Sequence, residues 1–267
     1  PLAHHHRQQS GPRRGPRPGD TMQGGYLGPQ FAQDDIDRRL AQVGATFTTV
    51  SAPEMIAETA QALADGKAIG WFQGRMEFGP RALGGRSFLG DARSPKMQKL
   101  LNLKVKFRES FRPFAPSVLR EDVADWFELD QDSPYMLMVA DIAKSRRRQM
   151  TDAENALFGI DKLNIERSEI PAVTHVDYSA RIQTVHADTH PQYHDLISAF
   201  KGLTGCPVIV NTSFNVRGEP MVCTPEDAFR CFMGTDADML VIGNAILHKD
   251  QQDPSLKLNY QDAFELD

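Results

Sequence analysis

Apolar residues along this chain fall into short blocks that alternate between two periods. Over residues 51–66, SAPEMIAETAQALADG, they recur at helical spacing behind a Ser-Ala-Pro-Glu start, and Gly66 marks the stop. Residues 191–205 repeat that pattern and end on Gly205, while Thr-Pro-Glu at 224–226 opens a third helix over 224–235. A fourth begins within SPKMQKLLNLKVKF, residues 94–107. Between them lie compact apolar runs that read as strands, at 67–73, 135–142, 180–186, 206–211 and 238–243. The polar stretch 144–170 reads as an exposed, partly helical excursion. Helices alternating with buried strands predict an α/β (α+β) domain built on a mixed sheet.

Residues 1–22 have no apolar period and are rich in Pro, Arg and Gly, so they read as a solvated tail that includes His4, His5 and His6. Order is expected from about Gly25. No apolar run approaches the length of a membrane span and no secretory signal is evident, so the expected location is cytoplasmic, with no membrane partner. Cys206, Cys223 and Cys231 lack metal-ligand spacing and read as reduced core residues. No metal site is expected.

Charge changes the picture in one place. The formal charge of the chain is −5, yet residues 75–120 hold eleven Lys and Arg against three acids, a local excess of +8. A compact basic segment in an acidic chain predicts a pocket for a small anion rather than a long nucleic-acid track. Within it, GWFQGRMEFGPRALGGRS (70–87) leaves a strand with three arginines, one acid and five glycines. Gly79-Pro80 is expected to start a helix with Arg81 in its first turn, where an anionic ligand would offset the unfavourable cation, and Arg86 is a second candidate ligand. Glu77 is as readily a structural partner of these arginines as a functional group. In NLKVKFRESFRPFAPSVL (102–119), Lys104, Lys106 and Arg108 alternate and would share one face of an extended segment, with Arg112 following. A solvated edge strand is the bland alternative.

Two further stretches add polar donors. NTSFNVRGEP (211–220) places Asn211, Thr212, Ser213 and Asn215 at the end of a buried strand, the usual ligand position in α/β sheets, although a side-chain-stabilised turn would explain about half of them. In HVDYSARIQTV (175–185), Arg181 and Gln183 share a strand face, and His175 with Asp177 is too small a group for a metal. With no nucleophilic triad and no Walker-type loop, this inventory suits charge stabilisation of phosphates and acyl phosphates.

Read in order, GWFQGRMEFGPRALGGRS, FRESFRPFAPSVL, HVDYSARIQTV and NTSFNVRGEP resemble the C-terminal half of the O-carbamoyltransferase family, which includes nodulation-factor, cephem and aminoglycoside enzymes. The resemblance runs from about Tyr26 to about Gly243. It implies a YrdC-like twisted mixed sheet with flanking helices, in which Lys106-Phe107-Arg108 and Ser213-Phe214-Asn215 look like the Lys-x-Arg and Ser-x-Asn signatures. It implies ATP, with Mg²⁺, and carbamoyl phosphate as substrates, and carbamoyl-adenylate as product. Arg81, Lys106, Arg112 and Arg181 would then be catalytic, and Arg86, Arg108, Asn211, Ser213 and Asn215 substrate-binding. It also implies a division into a tail (1–24), a lead-in from an absent actin-like domain (25–66) and the adenylate-forming domain (67–267). Transfer to an acceptor hydroxyl would need that actin-like partner. A non-catalytic YrdC-like module binding nucleotide or RNA is the competing expectation.

Overall fold

Ser51 caps the first of the expected helices: its hydroxyl accepts the Glu54 N–H while the Glu54 carboxylate accepts the Ser51 N–H at 3.0 Å. This holds in a computed structural model, which describes Asp20, residues 22–163 and 165–257, and Tyr260. The long helices are α1 (Gln33–Gln42), α2 (Ala52–Ala64), α3 (Pro191–Thr204) and α4 (Pro225–Gly234). The strands are β1 (Thr48–Thr49), β2 (Ile69–Phe72), β3 (Arg86–Asp91), β4 (Ala115–Leu119), β5 (Met138–Asp141), β6 (Ser179–Val185), β7 (Val208–Ser213), β8 (Met239–Ile242) and β9 (Ala245–His248). Most of the tail expected at 1–24, His4 to His6 included, lies outside the described residues.

The strands form one open mixed sheet in the order β1-β9-β8-β2-β3-β7-β4-β6-β5. β2 with β8 and β4 with β6 run parallel, and the other pairs are antiparallel. Every residue of β2, β3, β4 and β8 is buried, so helices and loops cover both faces at the centre. α2 packs along α3, and α1 packs against α4. Segment 25–66 is folded into this same body, since Ile36, Leu40, Met55 and Leu63 are core residues and β1 pairs with β9. No helix among the described residues is long and apolar enough to cross a membrane.

Two expected elements are absent, each for a physical reason. No helix follows Gly79-Pro80; residues 77–85 form an irregular loop whose N–H groups are drawn to a buried carboxylate described below. Residues 102–108 are not extended either. A helical turn at Met97–Leu100 widens into a π-helical turn over Leu101–Val105, because Met97, Leu101 and Val105 recur every fourth residue and all must be buried. The lysines therefore part company, Lys104 facing solvent and Lys106 entering the core.

Register brings the polar face together. Asn211 lies opposite Ala115, and Ser117 opposite Gln183, so Asn211, Ser213, Ser117, Gln183 and Arg181 share one face of β7, β4 and β6.

Candidate functional site

Glu77 organises the arginine loop. Its side chain is 4% exposed, and Oε1 accepts the N–H groups of Leu83, Gly85 and Arg86 at 2.7, 2.6 and 3.2 Å. Gly84 completes the turn at φ +105°, where a Cβ would sit 2.4 Å from the Tyr193 ring. From outside, the 25–29 segment pairs with the loop: Gly28 donates to Met76 O, Met76 to Pro29 O and Phe78 to Gly25 O, all within 2.9 Å.

Arg86, expected as a ligand, is consumed by this construction. It is 0% exposed and donates to the carbonyls of Gln73 (3.0 Å), Gly85 (2.9 Å) and Pro29 (3.2 Å), while its guanidinium lies 3.5 Å from the centre of the Phe72 ring. Burial holds its pKa down to about 10. It ties the loop and the 25–29 segment to the ends of the central strands β2 and β3 and, unlike the other residues expected to bind substrate, lines neither of the two clefts below.

Arg81 is freed by the same loop. It meets Arg181 of β6 in a cleft of about 180 Å³ that Arg108, Asn211, Thr212 and Ser213 also line, with Phe114 and Met136 as apolar walls. The Nε atoms of Arg81 and Arg181 are buried without a hydrogen-bond partner. Among the described residues, the hydrogen bond of the Arg181 guanidinium is from Nη2 to Met136 Sδ, at 3.9 Å. Burial lowers the Arg181 pKa and the neighbouring Arg81 charge lowers it further. Among the described residues neither arginine has an acidic partner.

A second cleft of about 470 Å³ adjoins the first through Arg108, Thr212 and Ser213, and Lys106, Arg112, Asn215, Arg217 and Glu219 complete it. Lys106, 4% exposed, points its ammonium into the β7 turn. It donates to Ser213 O, to Ser213 Oγ (3.2 Å), and to Asn215 O and Oδ1 at 2.7 and 2.8 Å. Burial pushes its pKa down to about 7. The loop beyond it hangs on buried Asn102, whose Oδ1 accepts Arg108 Nε at 2.6 Å and whose Nδ2 donates to Arg112 O at 2.8 Å. Burial, then the charge of Arg112, lowers Arg108 to about 10. Arg112 pairs with Glu109 at 3.1 Å and is exposed at the rim.

An anion bound in this second cleft favours protonated Lys106, so binding takes up a proton above the free-state pKa. We expect affinity for sulfate, which does not titrate in this range, to fall from pH 7 to pH 9 by up to about tenfold per unit. Isothermal titration across that range checks it; Lys106→Met should bind weakly with a flat pH profile, and a flat profile in the unmodified chain would contradict the assignment.

Beneath the clefts lies a polar layer of Ser117, Gln183 and Asn211. Ser117 Oγ donates to Gln183 Oε1 (2.6 Å), Gln183 Nε2 to Leu83 O (2.7 Å) and Asn211 Nδ2 to Gln183 Oε1 (2.8 Å). Eight of the nine expected site residues thus line the two clefts, Arg86 being the exception. Sequence reasoning missed Asn102, Ser117, Arg217 and Glu219. Glu219 holds the turn, its Oε2 accepting the Val216 N–H and its backbone O accepting Asn215 Nδ2. The Gly218-Glu219-Pro220 turn was the available signal for it. Asp177 instead accepts the N–H and hydroxyl of Ser179 in a turn ahead of β6.

The described residues contain no group of three or more His, Cys, Asp or Glu placed to hold a metal ion. The oxygens of Ser213 and Asn215 that could face a cation already surround the Lys106 ammonium. A protein-held Mg²⁺ does not fit there.

Residues 60–249 match the family described as carbamoyltransferase C-terminus. An uncharacterized protein of Synechocystis sp., sll1178, is 57% identical over 252 residues, covering 93% of this chain and 41% of that protein. Nodulation protein NolNO of Sinorhizobium fredii is 39% identical over 241 residues, covering 89% of this chain and 32% of its own length. The 3′-hydroxymethylcephem-O-carbamoyltransferase of Streptomyces clavuligerus is 36% identical over 194 residues, covering 73% and 33%. This chain therefore spans 32–41% of the length of these relatives.

Proposed function

The chain belongs to the carbamoyltransferase C-terminus family, and on that premise we propose that its two clefts bind carbamoyl phosphate and ATP and form carbamoyl-adenylate. The observation that supports this reading best is the Arg81–Arg181 pair, two cations in a small cleft with buried, unpartnered N–H groups and no acid beside them. Such a pair waits for an anion. Hydrolysis of carbamoyl phosphate gives phosphate and carbamate. A carbamate oxygen then attacks the α-phosphorus of ATP, and the bond to the leaving pyrophosphate breaks. Arg81, Arg181 and Arg108 would stabilise the negative oxygens of that exchange, and Lys106, Ser213 and Asn215 would present the turn that meets the nucleotide's phosphates. Mg²⁺ would arrive on the nucleotide.

Transfer of the carbamoyl group to an acceptor hydroxyl, releasing AMP, is assigned to the actin-like remainder of a longer protein or to a partner subunit. The setting is taken as the cytoplasm, where the three free cysteines stay reduced. Purified chain is expected to release pyrophosphate from ATP only when carbamoyl phosphate is present. Arg81→Ala and Lys106→Ala should each lower that release by about a hundredfold, the loss of one or two charge-assisted contacts. ATP binding without pyrophosphate release, undiminished in both variants, would overturn the reading in favour of a non-catalytic nucleotide-binding module. For an RNA-binding module, affinity for single strands would fall steeply with salt.

A further inference from the structure

The second cleft carries an acid that a polyanion would repel, and that acid is held from behind. Glu219 lines the cleft beside Lys106, Arg108 and Arg112, yet it is 7% exposed and both of its carboxylate oxygens are engaged within the protein. Oε2 accepts the Val216 N–H at 2.9 Å, and Oε1 accepts the hydroxyl of Tyr260 at 2.7 Å. The backbone oxygen of Glu219 accepts Asn215 Nδ2 at 2.6 Å. Asn215 Oδ1 in turn accepts the Ser213 hydroxyl at 2.7 Å and the Lys106 ammonium at 2.8 Å. One run of hydrogen bonds therefore joins Tyr260 to the turn that closes the cleft.

Tyr260 is itself firmly placed. It is 5% exposed, and its ring lies over Gly234 at the end of α4, where a Cβ would come 2.3 Å from the ring's Cγ. Arg230 of α4 donates from Nε to the phenol oxygen at 3.2 Å while pairing with Asp227 at 2.8 Å. Burial, then the bond to Glu219, pushes the phenol pKa up, so its proton stays in place and is directed at the carboxylate. We propose that Tyr260 is a positioning residue of the second cleft, fixing through Glu219 the 213–219 turn in the form that meets a nucleotide's phosphates. This rests on the reading that ATP binds there. Tyr260→Phe keeps the ring over Gly234 and removes the hydroxyl from which Oε1 accepts. A buried carboxylate oxygen without its donor is costly. The side chain then turns to water and to the cations of the cleft, where its charge opposes a phosphate.

Calorimetry with ATP and with carbamoyl phosphate tests this on the unmodified chain, Tyr260→Phe, Glu219→Ala and the double variant. In Tyr260→Phe the dissociation constant for ATP should rise about tenfold, the turn being in place about a tenth of the time, while that for carbamoyl phosphate stays within about twofold. Adding Tyr260→Phe to Glu219→Ala should cost no further ATP affinity, because the hydroxyl acts through the carboxylate. A merely structural hydroxyl would lower the melting temperature and leave both affinities, measured well below it, unchanged; that result would overturn the proposal. So would equal weakening of the two ligands, or a further loss in the double variant. The comparison of Tyr260→Phe with the unmodified chain stands whether or not Glu219→Ala folds. Failure of the unmodified chain to bind ATP would instead remove the nucleotide reading itself, and this proposal with it.

Discussion

Replacing Glu77 with alanine is expected to lower the unfolding free energy by about 3–5 kcal/mol and to abolish anion binding at Arg81. Three backbone N–H groups, those of Leu83, Gly85 and Arg86, converge on one carboxylate oxygen inside the protein. Removing the acceptor orphans all three at once, each at about 1–3 kcal/mol, and only part of that is regained by no longer burying a charge. Arg81 would lose its placement because the residues that follow it are the ones the carboxylate holds. Glu77→Gln is a sharp control. Its amide oxygen can still accept all three bonds, and its NH₂ would replace Oε2, an atom with no hydrogen-bond partner in the native structure. The glutamine variant should therefore cost about 1 kcal/mol and keep anion affinity within a fewfold. Urea unfolding curves decide between the outcomes. Equal midpoints for the alanine variant and the unmodified chain would mean that the loop is held by something other than this carboxylate.

The same residues explain how much of the site was legible in the sequence. Apolar period and caps located α2, α3 and α4, and the buried runs located β2, β6, β7 and β8 to within a few residues, because these elements follow from local pattern. Basic and polar clusters marked the four walls of the site. What sequence does not reveal is which charge is spent on the protein's own backbone. Arg81 and Arg86 stand five positions apart in one motif, yet Arg86 lies opposite Phe72 in strand register and is claimed by carbonyls of Gln73, Gly85 and Pro29. Those partners are set by tertiary packing. Period two at Lys104, Lys106 and Arg108 suggested a strand, but period four at Met97, Leu101 and Val105 prevailed because it buries three large side chains. β3 escaped notice because it begins with a buried arginine and ends with a buried aspartate, a polarity that only the fold can satisfy. Glu219 was missed because its role depends on a turn that brings its carboxylate to Val216 and Tyr260.

Arg181→Met is expected to move stability and binding in opposite directions. In the ligand-free chain Arg181 and Arg81 repel each other, their Nε–H groups are buried and unpaired, and no acid compensates them. Methionine keeps an apolar side chain of comparable length against Met136 and removes one of the two opposed charges. The ligand-free variant should gain about 1 kcal/mol, a rise of about 2–4 °C in Tm for a domain of this size. Affinity for carbamoyl phosphate should meanwhile fall about a hundredfold, since a charge-assisted bond contributes about 1.5–3 kcal/mol and the remaining arginine cannot embrace the anion alone. Anion binding stabilises only the folded form, adding about 2.7 kcal/mol when the ligand stands at a hundred times its dissociation constant. The two proteins should thus exchange rank: the variant melts higher without ligand, and the unmodified chain melts higher when carbamoyl phosphate saturates its own site. Thermal unfolding of both, with and without the ligand, reads this directly. A variant that melts lower under both conditions would make Arg181 a packing residue. An exchange of rank would identify a side chain kept at the expense of the free fold because a bound anion needs it.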